Sequence, residues 1–325
     1  MDLPLRYSSS NGTVRWTKLG AGPPLVFTHG TPWSSFVWRD IADAFTSTHT
    51  VYLWDMPGYG RSDKYDGQDV SLGAQGKLFA ELLAHWRSEQ QGQQQEQQQW
   101  VPIVIAHDFG GAVALRAHLL HGARYAALAL VDPVAVAPWG SPFFRLVGAH
   151  AGVFAQLPAN LHGALVREYI SGASHAGLRA ETLEALAKPW CDGDGQAAFY
   201  RQIQQADERF TTELEGRYGE VPLAMVMAED GTGESEDGSN GKSRTRRVLL
   251  VWGTEDSWVP VERGRELKRM MGGEEGAVVL REIEGAGHLV QMDRPAQLTG
   301  VLMEFVSALS GGGVGNGLRR GGGGV

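Results

Sequence analysis

Three side chains suited to hydrolysis through a covalent intermediate lie far apart in this sequence: carboxylates at Asp108 and Asp256, and an imidazole at His288. Each follows a short apolar run and does not fall inside a helical pattern. Their order along the chain, nucleophile then acid then histidine, is that of a known class of catalytic triads. Together they predict a triad whose nucleophile is an aspartate.

The segment around Asp108 reads VPIVIAHDFGGAVAL over residues 101–115, an apolar run followed by a helix rich in small residues. Small residues two positions before and two after the aspartate, Ala106 and Gly110, are typical of the sharp turn called a nucleophile elbow. A second interpretation is open, because Asp is also a good N-cap for a helix that begins at Phe109.

The residues His29, Gly30, Thr31 and Pro32 follow another apolar run. A loop at this place can turn the Thr31 N–H toward the elbow, beside the N–H of Phe109. Two such donors form an oxyanion hole. The alternative is that this segment is a plain loop.

Two aspartates compete for the role of the triad acid. Asp256 lies in WGTEDSWVP, just past an apolar run, whereas Asp132 also follows such a run and precedes Pro133. An Asp before Pro is also typical of a turn. We favour Asp256 and keep Asp132 as the alternative.

An aspartate nucleophile favours a particular chemistry. A carboxylate is best suited to displacement at a tetrahedral carbon, which yields an alkyl-enzyme ester. His288, oriented by the acid, would then take a proton from the water that attacks this ester. The amides of Thr31 and Phe109 would hold the resulting oxyanion.

The elements that must position these residues alternate apolar runs with helical patterns, which predicts an α/β fold: a mostly parallel central sheet with helices on both faces. A helix is also expected where Leu298, Leu302, Phe305 and Val306 line one face. The predicted strands are residues 25–28, 51–54, 101–106, 127–131, 248–252 and 277–280.

Between these strands the pattern turns helical over residues 133–228, with amphipathic pieces near residues 161–170 and 197–209. We interpret 133–228 as an inserted helical cap and residues 1–132 and 245–309 as the core. Three segments have compositions typical of disorder. They are a Gln-rich loop at 88–99, an acidic, Gly-rich loop at 229–244 and a Gly-rich tail at 310–325.

Composition limits the class of protein. The chain has 325 residues and a formal charge of −8, which argues against a nucleic-acid surface. Its one cysteine, Cys191, allows no internal disulfide, and no signal peptide or membrane span is evident. We expect a cytoplasmic protein whose partners are a small molecule and water, without cofactor or metal.

Five motifs carry a resemblance to a known superfamily. From about residue 13 to 309 the chain resembles the α/β hydrolases, specifically their branch with an aspartate nucleophile, the epoxide hydrolases and haloalkane dehalogenases. The resemblance implies the α/β-hydrolase fold with a helical cap. The motifs are HGTPWSSFVWR at 29–39, DMPGYGRSD at 55–63, AHDFGG at 106–111, WGTEDSWVP at 252–260 and GAGHLVQ at 285–291.

The two branches differ in how the leaving group is stabilised. In epoxide hydrolases a cap tyrosine donates a proton to the departing oxygen. The Ala197–Arg201 piece, AAFYR, resembles that part of their cap, so Tyr200 is the first candidate and Tyr169 the second. The alternative is that Tyr200 only packs beneath the cap. The second cap tyrosine of that family is not evident.

Dehalogenases hold the halide with N–H donors, usually an indole beside the nucleophile. Here that residue is Phe109, and Thr31 stands where related enzymes often carry Asn. Trp33 or Trp139 would have to donate instead. The arginines of fluoroacetate-type enzymes are missing after the elbow. Epoxide opening is therefore the leading hypothesis and haloalkane dehalogenation the alternative.

Two hypotheses from other classes remain. The chain could be a non-catalytic ligand-binding protein that retains the hydrolase fold, since fold alone does not fix function. A conventional esterase ranks lower, because no Gly-x-Ser-x-Gly elbow follows any predicted strand.

Overall fold

A single sheet lies at the centre of the chain in a computed structural model that describes residues 2–91, 100–224, 247–272 and 277–310. Its strands are β1 (Leu5–Ser9), β2 (Gly12–Leu19), β3 (Pro24–Thr28), β4 (Thr50–Asp55), β5 (Ile103–His107), β6 (Ala127–Val131), β7 (Val248–Gly253) and β8 (Val278–Ile283). They are ordered β1-β2-β4-β3-β5-β6-β7-β8. Strands β3 to β8 are parallel, and β1 and β2 are antiparallel to their neighbours.

The six predicted strands correspond to β3 through β8, so the predicted α/β fold with a mostly parallel sheet is confirmed. In β5, β6 and β7 every residue is buried. Helices cover both faces of such a strand, which is why its sequence reads as a continuous apolar run.

Strands β1 and β2 were not predicted. They form a hairpin in which Ser9 pairs with Gly12. The Asn11-Gly12 dipeptide, with alternating buried Val14 and Trp16 after it, is the signal that identifies such a hairpin. Their exposed outer faces weaken the hydrophobic pattern.

The helices are α1 (Arg39–Asp43), α2 (Leu72–Gln91), α3 (Phe109–His121), α4 (Pro142–Ala149), α5 (Ala151–Phe154), α6 (Ala159–Ser171), α7 (Ala180–Cys191), α8 (Gly195–Gln204), α9 (Arg209–Glu215), α10 (Glu220–Ala224), α11 (Val261–Met271), α12 (Val290–Asp293) and α13 (Pro295–Ser310). Helix α13 buries Leu298, Leu302, Phe305 and Val306, as expected. Within the described ranges, none of these helices is long and apolar enough to cross a membrane.

Helices α4 to α10 lie between β6 and β7, and we call residues 133–224 the inserted segment. The predicted piece at 161–170 falls in α6, whereas the piece at 197–209 is divided between α8 and α9. Between α8 and α9, the side chain of Asp207 accepts the N–H of Arg209 in a local turn.

The Gln-rich segment requires one correction. Its first residues, 88–91, continue helix α2 and do not begin a loop. Gln and Glu are good helix formers, and two contacts hold this end: His85 lies 3.3 Å from Glu89, and Gln90 donates to the Tyr52 hydroxyl. Ser310, the first residue of the predicted tail, likewise ends α13. The rest of the three predicted disordered segments, 92–99, 229–244 and 311–325, lies outside the described residues.

Candidate active site

Asp108 lies at the turn between β5 and α3, with a positive φ of 51° and a ψ of −121°. Although it occupies the N-cap position, its side chain does not cap the helix. The turn is tight: a side chain at Gly110 would come within 2.4 Å of the His29 carbonyl oxygen. The backbone thus adopts the predicted elbow, and the carboxylate is directed away from the helix.

The three predicted triad side chains meet in a buried row. His288 Nε2 lies 3.2 Å from Asp108 Oδ2, and its Nδ1 lies 2.8 Å from Asp256 Oδ2. The other oxygen of Asp256 accepts from the backbone N–H groups of Trp258 and Val259 at 2.8 and 2.9 Å. These two bonds fix the carboxylate, which in turn fixes the imidazole.

Two carboxylates control the charge of His288. Burial by itself lowers the pKa of His288, but Asp256 and Asp108 on either side outweigh it and raise the pKa well above its ordinary value. The direction of this shift favours the protonated form of His288 in the resting site.

Asp132 lies close to this row without bonding to the histidine. Its Oδ1 accepts the N–H of Gly253 at 2.9 Å, and its Oδ2 has no partner among the described residues. Burial, followed by the charge of Asp256, raises the pKa of Asp132 well above its usual range. Of the two acids left open by the sequence, Asp256 is the one that contacts His288.

The predicted oxyanion hole has its first donor in place. The N–H of Thr31 lies 2.6 Å from Asp108 Oδ1. Phe109 is the first residue of α3, where backbone N–H groups have no partner within the helix. Both amides belong to the loops predicted to supply them.

Gln202 is a site residue that the sequence did not indicate. Its Oε1 accepts the Thr31 hydroxyl at 2.6 Å and the Tyr59 hydroxyl at 3.3 Å, so helix α8 is tied to the loop beside Asp108. A single Gln in an amphipathic helix has no pattern that distinguishes it from a surface residue.

A small, partly open pocket lies beside Asp108, which forms part of its lining. Five of the eleven lining residues are aromatic, and none of the eleven is Lys, Arg or His. The lining residues are Thr31, Asp108, Phe109, Val134, Trp139, Gly140, Ser141, Phe144, Tyr169, Trp258 and Val259. The described residues also contain no group of three or more His, Cys, Asp or Glu side chains arranged to hold a metal.

Of the two tyrosines considered as proton donor, the second choice from the sequence is the one that lines the pocket. The Tyr200 hydroxyl pairs with His162 Nδ1 at 2.9 Å in the buried interior of the inserted segment, whereas Tyr169 lines the pocket. Burial, and then the charge of Asp108, raise the pKa of Tyr169 well above its ordinary value. Tyr200 is therefore not among the lining residues, since its hydroxyl pairs with His162 of α6, and Tyr169 is the candidate that lines the pocket.

Of the two predicted indole donors, Trp139 donates elsewhere, and Trp33 lies outside the pocket lining with its N–H unpartnered among the described residues. The Trp139 N–H donates to the Thr211 hydroxyl at 2.9 Å, so only its ring faces the pocket. Trp33 is buried outside the lining, with its ring stacked 5.9 Å from Trp258. Trp258 is the indole that the prediction missed, although it lies within the WGTEDSWVP motif. It lines the pocket and stacks 5.1 Å from His288.

Comparison with known proteins agrees with this architecture. A model of the "Alpha/beta hydrolase family" matches residues 25–300. Epoxide hydrolase A of Mycobacterium tuberculosis is 26% identical over 331 aligned positions, covering 94% of this chain and 97% of that protein. Haloalkane dehalogenase 2 of Mycobacterium bovis is 20% identical, covering 92% and 93%.

Among solved structures, an α/β hydrolase fold protein from Burkholderia ambifaria is 40% identical and superposes with a TM-score of 0.77, covering 94% of this chain and 98% of that one. The family model spans most of the chain, including the elbow and the loops that carry Asp256 and His288. This chain therefore belongs to the α/β hydrolase family.

Proposed function

We propose that the protein hydrolyses a small, neutral epoxide through an alkyl-enzyme ester on Asp108. The observation that carries the proposal is that the two oxygens of this carboxylate have different partners. Oδ1 accepts the Thr31 amide, and Oδ2 faces His288 beneath an apolar pocket. Such an arrangement suits attack by one oxygen while the other stays in an oxyanion hole.

In the first step Asp108 Oδ2 attacks an epoxide carbon and the ring C–O bond breaks. Tyr169 gives its phenolic proton to the departing oxygen. A phenol, whose ordinary pKa is about 10, is protonated at neutral pH, which a proton donor requires. The products of this step are an ester on Asp108 and a Tyr169 phenolate.

Ester formation also changes His288. The ester is neutral, so one of the two carboxylates that raise the pKa of His288 is lost. The imidazolium releases its proton, which restores the Tyr169 phenol through solvent. A neutral imidazole is then available as a base.

In the second step His288 takes a proton from water as that water attacks Cγ of Asp108. The amides of Thr31 and Phe109 hold the oxyanion on Oδ1. Collapse breaks the bond between Cγ and Oδ2; the departing oxygen takes the proton of the newly added hydroxyl group, by way of His288, and leaves in the diol. The carboxylate of Asp108 and the imidazolium of His288 are regenerated, so protons and charges balance.

The pocket supports a neutral substrate. The described lining has no Lys or Arg that could bind an anionic group of a substrate. The walls of Phe109, Trp139 and Phe144 favour an apolar substituent.

Haloalkane dehalogenation is the second candidate. Trp258 supports it, since an indole lines the pocket beside the proposed nucleophile, and a relative named haloalkane dehalogenase matches over most of the chain. Phe109 has no ring N–H, and the N–H of Trp139 already donates to Thr211. These two features favour the epoxide.

The test uses terminal epoxides and haloalkanes with matched carbon skeletons, with diol and halide both measured. We expect diol without halide; halide release alone would select the second candidate. A single turnover in ¹⁸O-labelled water should place the label in Asp108, because the diol leaves with the old Oδ2. Asp108→Asn should be inactive, while Asp40→Asn, which alters an exposed carboxylate outside the pocket lining, should remain active.

An unlabelled Asp108 in an active enzyme would overturn the ester mechanism. Binding of these compounds without any turnover or adduct would instead support the ligand-binding hypothesis.

A further inference from the structure

The buried carboxylate of Asp293, in α12, accepts hydrogen bonds from two separate parts of the chain. Its Oδ2 accepts the backbone N–H of Gly287 at 2.7 Å and of His175 at 2.9 Å. Its Oδ1 accepts the Ser174 hydroxyl and the Ala176 N–H. Three donors belong to the inserted segment and the fourth precedes the proposed catalytic histidine.

Hydrogen bonds hold the backbone at three consecutive residues, Gly287, His288 and Leu289. The N–H of Gly287 is held by the Asp293 carboxylate. The carbonyl of His288 accepts from His107 Nε2 at 2.8 Å, and the N–H of Leu289 donates to the carbonyl of Ala173 at 3.0 Å. Two of these three bonds depend on residues 173–176 or on the carboxylate that binds them.

The contact between the two loops is close. A side chain at Gly287 would lie 2.8 Å from both the Ala173 oxygen and the His175 nitrogen. Only glycine allows this approach, so a movement of residues 173–176 displaces residues 287–289, which we call the histidine loop.

The same loop follows α6, the helix that carries Tyr169. The Tyr169 ring stacks 4.4 Å from Trp258, and the Trp258 ring stacks 5.1 Å from His288. Asp293 therefore joins, by hydrogen bonds, two elements that the aromatic stack also joins above the pocket.

We propose that Asp293 is a positioning residue, which seats the inserted segment on the histidine loop and so holds His288 for the attack of water. The proposal rests on the proposed function. Since His288 acts as the base only in hydrolysis of the ester, loss of Asp293 slows that step more than ester formation. Misplacement of a catalytic group by about 1 Å is sufficient for a 10²-fold loss of rate.

Asp293→Asn is the matched substitution. It keeps the volume but replaces one acceptor oxygen with an amide nitrogen that faces N–H and O–H donors. Ser174→Ala removes one donor and leaves the carboxylate intact. Glu213→Gln is the control, because Glu213 also ties the inserted segment to the core, through Arg116 of α3, away from His288.

Full-length variants are mixed rapidly with an epoxide and quenched in acid. The fraction of protein that carries the Asp108 ester is then measured by mass spectrometry. In Asp293→Asn we expect ester formation within about 3-fold of wild type and hydrolysis slowed about 10- to 100-fold, so that the ester accumulates. Ser174→Ala should shift the same ratio by a few fold, which keeps the test available if Asp293→Asn does not fold. Glu213→Gln should leave the ratio unchanged.

Equal slowing of both steps in Asp293→Asn, or the same ester accumulation in Glu213→Gln, would overturn the proposal. Hydrogen exchange without substrate separates this proposal from the proposed function. We expect faster exchange of the Gly287 and Leu289 amides in Asp293→Asn than in Glu213→Gln. Unchanged exchange overturns the positioning role, whereas failure of wild type and His288→Ala to form any ester overturns the function alone.

Discussion

The carboxyl edge of the sheet and the inserted segment both contribute to the pocket, but they position side chains in different ways. At the sheet edge, Asp108 and Asp132 directly follow β5 and β6, and Asp256 comes three residues after β7. The inserted segment contributes side chains such as Tyr169 and Gln202 from helix faces. A strand end is fixed by hydrogen bonds to its neighbours, whereas a helix face depends on how that helix is rotated and packed.

This difference assigns separate tasks to the two regions. The proposed nucleophile, acid, base and oxyanion donors all come from sheet-edge loops. The inserted segment supplies the proposed proton donor and half of the apolar wall. We therefore expect sheet-edge substitutions to abolish the chemistry and inserted-segment substitutions to change its rate and its preference for a leaving group.

The largest effect is expected within the sheet edge, between its two acids. Asp256→Asn should reduce kcat by about 10³- to 10⁴-fold, because an amide N–H facing His288 favours the wrong tautomer. Asp132→Asn should stay within about 3-fold of wild type, an activation difference under ~1 kcal/mol. Steady-state kinetics with an epoxide measures both. Equal losses would show that the two carboxylates act as one unit.

A smaller effect should distinguish the two tyrosines of the inserted segment. Tyr169→Phe removes the proposed proton donor and should lower kcat for an epoxide by about 10²-fold. Tyr200→Phe removes the bond to His162 and should cost about 1 kcal/mol of stability while leaving kcat within about 3-fold. A haloalkane should be insensitive to Tyr169→Phe, because halide departs without a proton. A large loss in Tyr200→Phe alone would restore the original expectation.

The smallest effect concerns stability and its dependence on pH. Burial and the charge of Asp256 raise the pKa of Asp132 in the folded protein. Above a pH of about 3.8, the ordinary pKa of this carboxyl group, the unfolded chain has released the proton while the folded protein still binds it. The contribution of Asp132 to the free energy of unfolding is thus greatest at low pH and falls as the pH rises. Asp132→Asn should raise Tm by on the order of 2 °C at pH 7.5. The gain should vanish near pH 4; a constant gain at both pH values would contradict the raised pKa.

The sequence predicted the sheet-edge loops well. Continuous apolar runs identified β3 to β8, and the residues that follow them include every side chain of the buried row. The parallel arrangement then brings these loops to one edge, whatever the exact strand boundaries. The antiparallel hairpin was missed, because no residue of β1 and only three of the eight residues of β2 are buried, which leaves no continuous apolar run.

Helix α8 illustrates why the inserted segment was harder to predict. The sequence correctly indicated a helix around Tyr200, but residues two positions apart face directions about 200° apart. Gln202 therefore contacts Thr31 while Tyr200 faces His162. Asp293 was missed for a related reason, since its donors at 174–176 are distant in sequence.

By itself the sequence determined the fold class, the elbow at Asp108 and the loops that carry Thr31, Asp256 and His288, because periodicity and local turn chemistry are encoded in neighbouring residues. Only the tertiary structure decided which acid contacts His288, which tyrosine lines the pocket and which carboxylate joins the inserted segment to the histidine loop. These choices depend on packing between elements distant in the chain, which local patterns do not specify.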